Sequence, residues 1–237
     1  MYYRLNNACG IYYLNIYDLN SIPNPKNVIL LNITKKRLNV LPDLSRFINL
    51  KYLYCGNNNL KNIQNLPSNL KSLYCEHNDL IELSNLPETL ELLNCDYNKL
   101  KQLPELPLNL RLLSCNNNNL IELPNLSLLY KLEVLCCDYN KITVLTDNIN
   151  INHLSCNNNN LSVLPKISYN FKFLYCSNNF NLKLPRSIIF NSKLKYYKKY
   201  KTYKNINELT YLLNYNIENY YYSIILKYYT RKLKIKN

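Results

Sequence analysis

The 237-residue sequence predicts a β-rich solenoid whose successive coils each lay one short strand into a parallel sheet. Three observations carry this. Leu53, Leu73, Leu93, Leu113, Leu135, Leu154 and Leu174 recur at spacings of 20, 20, 20, 22, 19 and 20 residues. Two residues after each stands a cysteine (Cys55, Cys75, Cys95, Cys115, Cys137, Cys156, Cys176), and three residues later an asparagine (Asn58, Asn78, Asn98, Asn118, Asn140, Asn159, Asn179). Within each copy, as in "LKSLYCEHNDL" (70–80), Leu73 and Cys75 alternate with Ser72, Tyr74 and Glu76, the period-two pattern of a strand with one buried face.

The elements follow in order. Residues 1–27 read as an N-terminal cap in which Tyr12, Leu14, Tyr17 and Leu19 form a worn copy of the unit. Residues 28–200 are the solenoid. Leu31 and Ile33 begin its first, degenerate copy, with Lys36 in the asparagine position; at the far end Leu194 and Tyr196 repeat the spacing, with Lys199 replacing asparagine. Worn end copies suit an array whose end units face water. One copy offers about five apolar side chains, each worth roughly 1.5–3 kcal/mol when buried. Ordering its backbone costs about 1–2 kcal/mol per residue, so a lone copy cannot fold and the stack can.

Stacked strands lie about 4.8 Å apart, which turns the cysteines into an inward column and the asparagines into a column at the bend. Cysteine is small and among the most buried residue types, and an asparagine amide both donates and accepts where the strand turns away. The other half of each copy, as in "LPELPLNL" (103–110), carries Pro67, Pro87, Pro104, Pro107, Pro124, Pro165 and Pro185. Proline blocks a helix interior, so extended, polyproline-like segments are expected on the convex side.

The consensus L-x-x-L-x-C-x-x-N-x-L-x-x-L-P resembles the leucine-rich repeat, with cysteine where that family usually has another aliphatic residue. The L-P-x-L-P phrase and the short unit are similar to the type III leucine-rich-repeat effectors of pathogenic bacteria. The sixth-position cysteine and the Asn-, Tyr- and Lys-rich composition look more like leucine-rich repeat proteins of amoeba-infecting giant DNA viruses. The resemblance implies a viral, host-directed protein that binds a protein or peptide, the ligand unnamed. Some bacterial effectors add a ubiquitin-ligase domain with a catalytic cysteine beyond the repeats; no cysteine follows Cys176 in this sequence, so that activity is not implied.

Nothing in the sequence argues for an enzyme or for a cofactor. Two glycines rule out a glycine-rich phosphate loop, and the two histidines, His77 and His153, stand at outward strand positions where a surface polar side chain is the plain reading. The cysteines form no C-x-x-C pair and follow the repeat rather than a zinc spacing. Packing is the favoured role, with disulfides between neighbouring coils or a metal as alternatives. Cys136 falls on the outward phase and is expected to be an accessible thiol. The start breaks its apolar run with Asn6, Asn7, Asn15 and Asp18, a poor signal peptide, and no stretch reaches the roughly 18 apolar residues of a membrane span. An intracellular location is expected, the host cytoplasm if viral.

Function is therefore expected on the outward strand face, which is mostly uncharged and rich in tyrosine, a residue favoured at protein interfaces. The candidate ligand-binding residues are Tyr52, Tyr54, Tyr74, Glu76, Asn94, Asp96, Tyr97, Asp138, Tyr139 and Tyr175. A second candidate is the C-terminal end. Residues 186–237 hold 12 Lys and Arg against 2 acids, whereas residues 1–185 hold 17 against 13. Within 201–237, Ile206, Leu209, Leu213, Ile217, Tyr220, Ile224 and Tyr228 recur at helical steps behind an Asn205 and Glu208 capping pair, predicting a basic amphipathic helical cap. Bases interleaved with aromatics in 193–204 and 227–237 make nucleic acid or an anionic membrane surface the alternative partner. A structural component without a specific ligand is the third reading.

Overall fold

The structure is a computed structural model, and it describes residues 3–7, 10–14, 19–146, 151–166, 173–183 and 195–197. The chain divides into two units, 1–198 and 199–237; the helix expected over 201–237 lies outside the described residues.

The strands form one sheet in chain order: β1 (Tyr3–Asn7), β2 (Gly10–Leu14), β3 (Val28–Asn32), β4 (Tyr52–Tyr54), β5 (Ser72–Tyr74), β6 (Leu92–Asn94), β7 (Leu112–Ser114), β8 (Val134–Cys136), β9 (His153–Ser155), β10 (Phe173–Tyr175) and β11 (Lys195–Tyr197). From β2 onward every pairing is parallel, as a right-handed or left-handed coil of repeats requires, and the β1–β2 hairpin alone is antiparallel. The repeat leucines pair in register from Leu31↔Leu53 through Leu154↔Leu174. All eight are fully buried, and the seven cysteines beside them are at most 4% exposed.

The unequal spacings leave that register intact. The 22-residue copy places its two extra residues on the convex side, where Leu129 donates to the Leu126 carbonyl and Leu132 to that of Leu129. The first coil uses the same doubled turn at Leu44, Phe47 and Leu50. The end copies are set differently from their spacing. A shift between Ile11 and Tyr12 puts Tyr13, not Tyr12, opposite Leu31, and β11 puts Tyr196, not Leu194, opposite Leu174. Pairing there is decided by the connecting segments, because the motif residues that would fix register are missing.

The bend after each strand is closed as the amide chemistry predicts, with two coils joined at once. Asn98 donates through Nδ2 to the carbonyls of Cys95 and Asp96 in its own coil and of Cys75 in the coil before, each at 3.1 Å. Its Oδ1 accepts from the Leu80 backbone N–H at 3.0 Å. Asn78, Asn118, Asn140, Asn159 and Asn179 repeat the pattern, and Asn58 serves the first coil, accepting from Lys36 and Leu38, so the degenerate copy is closed from its neighbour.

The cysteines do more than fill space. Cys75, Cys95, Cys115, Cys137 and Cys156 each direct Sγ at the strand carbonyl of the following coil, at 3.3–3.5 Å. That is a weak donation an aliphatic side chain cannot make. Burial pushes these thiols well up, and the eight described cysteines are all free and buried. Two short 3-10 helices, Leu19–Ser21 and Pro25–Asn27, precede β3; beyond it the described connections on the convex side contain no helix. Between β4 and β7 one β-turn per coil breaks the extended run, with Leu70, Leu90 and Leu110 donating to the carbonyls of Pro67, Pro87 and Pro107. Asn49, Asn69, Thr89 and Asn109 then reach back to carbonyls of the preceding coil at 2.6–3.0 Å.

Two outcomes follow. Asn98→Ala strands three buried carbonyls and one N–H, so urea denaturation should show a loss of at least about 2 kcal/mol, well beyond that of a surface Asn→Ala change. In the native protein the eight described thiols should resist a bulky maleimide and react fully once denatured; rapid native labelling of Cys95 or Cys115 would contradict the packed column.

Candidate functional site

Four residue columns make up the outward side of the sheet. The first strand position holds Tyr52, Ser72, Leu92, Leu112, Val134, His153 and Phe173 in β4 to β10, and the third holds Tyr54, Tyr74, Asn94, Ser114, Cys136, Ser155 and Tyr175. The residue after each repeat cysteine forms the next column: Gly56, Glu76, Asp96, Asn116, Asp138, Asn157 and Ser177. The last is the residue that turns the chain, held at φ between 52° and 55° in the seven coils of β4 to β10: Asn57, His77, Tyr97, Asn117, Tyr139, Asn158 and Asn178; Lys35 takes the same place in the coil of β3 at 56°.

Parallel in-register pairing stacks like on like. The Tyr54 and Tyr74 rings lie 4.5 Å apart and 5° from parallel, and both side chains are partly exposed, as are Tyr52 and Tyr175. His77 stacks on Tyr97 at 4.3 Å and 11°. Tyr97 is 40% exposed and Tyr139 49%. These tyrosines stand on the outward side as the sequence placed them, but in two groups: Tyr52, Tyr54, Tyr74 and Tyr175 on the strands, Tyr97 and Tyr139 on the turn row.

The acids are tied into a ladder that sequence reasoning missed. Asp96 accepts from Ser114 Oγ at 2.7 and 2.9 Å, from the Asn116 backbone N–H at 2.7 Å and from Asn116 Nδ2 at 3.2 Å. Asp138 repeats this with Ser155 Oγ, both at 2.8 Å, and Asn157 N–H and Nδ2 at 2.6 and 3.2 Å. Asn94 Oδ1 accepts from the Asp96 N–H, Asn116 Oδ1 from that of Asp138, and Asn157 Oδ1 from that of Ser177, so the chain of bonds runs unbroken from β6 to the coil of β10. Burial pushes the Asp96 carboxyl up to about 7 and Asp138 up to about 6, against the lowering effect of those donors. Asp96, Asp138 and Asn94, taken from the sequence as ligand contacts, thus also serve the face itself. The signal was present: acid and amide alternate at Asp96, Asn116, Asp138 and Asn157.

Glu76 lies in the same column, partly buried, and its carboxylate leans over Gly56, where a Cβ would overlap it. The glycine makes room for it.

Two expectations are corrected. Cys136 is 2% exposed, not accessible. It sits between Ser114 and Ser155 across the strands, with Val134 two residues before it, and all three of these neighbours are themselves buried. His153 is 8% exposed rather than a surface residue; Phe173 and Tyr175 tilt against its ring at 5.5 and 5.6 Å. Burial lowers its pKa to about 4, which leaves it neutral at pH 7. Among the described residues no three of His, Cys, Asp and Glu converge where a metal ion would sit, and no helix is long and apolar enough to cross a membrane.

No protein family and no curated protein matches the chain. Solved structures do. YopM from Yersinia enterocolitica WA-314 is 28% identical, with a TM-score of 0.52, over 64% of this chain and 38% of that one. The leucine-rich-repeat domain of a Shigella effector is 29% identical, with a TM-score of 0.52, over 68% and 63%. The Leptospira interrogans leucine-rich-repeat protein LIC12759, at 24% identity and a TM-score of 0.57 over 74% and 55%, is similar in fold alone. The chain spans less than two thirds of the length of each of the three. The parallel coils, the buried leucine column and these neighbours agree: this chain is a leucine-rich-repeat solenoid.

Proposed function

We propose that the protein is a non-catalytic interaction module that holds a protein or peptide ligand on its outward strand face. The observation that carries this reading is the parallel Tyr54–Tyr74 stack, partly exposed beside Tyr52, on strands fixed by a fully buried leucine column. Rigid aromatic side chains bury large area at little entropic cost and keep a polar tip. Repeat folds of this kind present extended binding surfaces made from equivalent positions of successive coils.

In composition the chain resembles giant-virus leucine-rich repeat proteins, and on that reading the partner is a host protein met in the host cytoplasm. The basic segment 186–237 supports a second reading, contact with nucleic acid or an anionic membrane, on its charge alone.

Cross-linking mass spectrometry in the native host, followed by pull-down with the full chain, tests the first reading. Tyr54→Ala with Tyr74→Ala should weaken capture of the cross-linked partner by about tenfold or more while far-ultraviolet circular dichroism stays unchanged. Undiminished capture counts against the strand face. Steeply salt-dependent binding to a random-sequence oligonucleotide, unaffected by these substitutions, would favour the basic segment instead.

A further inference from the structure

The turn row carries more information than its position. Asn57, Asn117, Asn158 and Asn178 hold the left-handed conformation in four coils, and His77, Tyr97 and Tyr139 hold it in the other three. Asparagine and histidine adopt this region several-fold more readily than most residues, whereas a tyrosine is strained there. The chain has abundant asparagine, 44 in all, yet sets two tyrosine rings into a strained backbone and leaves them exposed, Tyr97 by 40% and Tyr139 by 49%, with the exposed His77 on the same row.

Those three rings have a second property in common. Each directly follows an acid, as Glu76–His77, Asp96–Tyr97 and Asp138–Tyr139, whereas the four asparagines follow Gly56, Asn116, Asn157 and Ser177. Aromatic rings set beside carboxylates suit a guanidinium or ammonium group, the rings supplying π-surface and the carboxylates charge.

We propose that the acid–aromatic pairs Glu76/His77, Asp96/Tyr97 and Asp138/Tyr139 receive the arginine or lysine side chains of a basic segment of a partner protein. This rests on the strand-face reading and names the chemistry of its ligand. It also assigns His77 a recognition role.

Protons compete with such a ligand. Burial raises Asp96 to about 7 and Asp138 to about 6, and Glu76 adds to the rise at Asp96. The other titratable groups about them are Tyr97, Tyr139 and His77 on the face, Cys136 among the strand residues, and the thiols of Cys75, Cys95, Cys115, Cys137 and Cys156 beneath, which burial keeps protonated. Falling pH neutralises Asp96 and Asp138, and that change opposes a cation.

The test uses the full chain and a short fluorescent peptide alternating arginine with glycine, read by anisotropy, with the glutamate–glycine peptide as control. The combined variant His77→Asn, Tyr97→Asn, Tyr139→Asn installs the residue that four coils already carry at this position. Expected are binding of the arginine peptide alone, weakened by salt and weaker at about pH 5 than at about pH 8. Also expected are a loss of about tenfold in the variant and a thermal midpoint no lower than that of the wild type. The inference is overturned by absence of wild-type binding, by equal binding in the variant, by indifference to pH, or by a lower thermal midpoint, which would show that the rings serve the fold. The Tyr54 and Tyr74 substitutions report separately, so partner capture that depends on them but not on the turn row rejects this inference and leaves the strand-face reading in place.

Discussion

One asparagine amide per coil, bonded to two coils at once, is the constraint on which the rest depends. A strand of three residues has too few ladder bonds to hold a coil, and the chain must leave it through a left-handed residue that exposes carbonyls to the interior. An unpaired buried carbonyl costs about 1–3 kcal/mol. Asn98 serves three of them and caps the N–H of Leu80, so each coil is completed only when the next is present. Cooperativity along the stack is therefore built into hydrogen bonding as well as into apolar burial.

The same device, a side chain reaching one coil back or forward, recurs at three other places with different chemistry. Thiols meet carbonyls inside, Asn and Thr meet carbonyls on the convex side, and Asp meets Ser and Asn on the strand face. The last is under an electrostatic limit. Carboxylates in adjacent coils would stand about 4.8 Å apart and repel, and Asn116 and Asn157 alternate with Asp96 and Asp138 as that limit requires. Glu76 and Asp96 are the one adjacent pair, and Glu76 is the acid that leans away over Gly56. The abundance of asparagine, which codon bias alone could produce, is in good part used by the structure.

The columns that face inward were legible in the sequence because burial imposes one residue type per position, and one type per position is what a period search detects. The outward ladder was not, since its members differ from coil to coil and make sense only once Asp96 is known to face Ser114 and Asn116. The burial of Cys136 and His153 was missed for a related reason: alternation gives the side of the sheet a residue is on, not how far its neighbours cover it. Register failed at Tyr12 and Leu194, where the copies lack the asparagine that pins one coil to the next.

These facts separate what holds the solenoid from what it can display. Asn98 and Tyr97 are adjacent in sequence, yet the first side chain is bonded on every side within the bend and the second is held at the surface by its backbone and by the His77 ring. Any side chain able to accept a left-handed backbone fits there without disturbing the core, so the turn row can vary while the coil geometry stays constant. Asparagine is, after glycine, the residue of least strain at that position, and it marks the coils where nothing more than closure is needed. A tyrosine in the same place has a conformational cost with no return inside the coil, because its ring lies outside the buried core. The return has to come from outside the coil: Tyr97 stacks on His77, and Tyr139, whose neighbours on the row are Asn117 and Asn158, hydrogen-bonds with the Asn158 side chain, which still leaves part of each tyrosine exposed to a ligand.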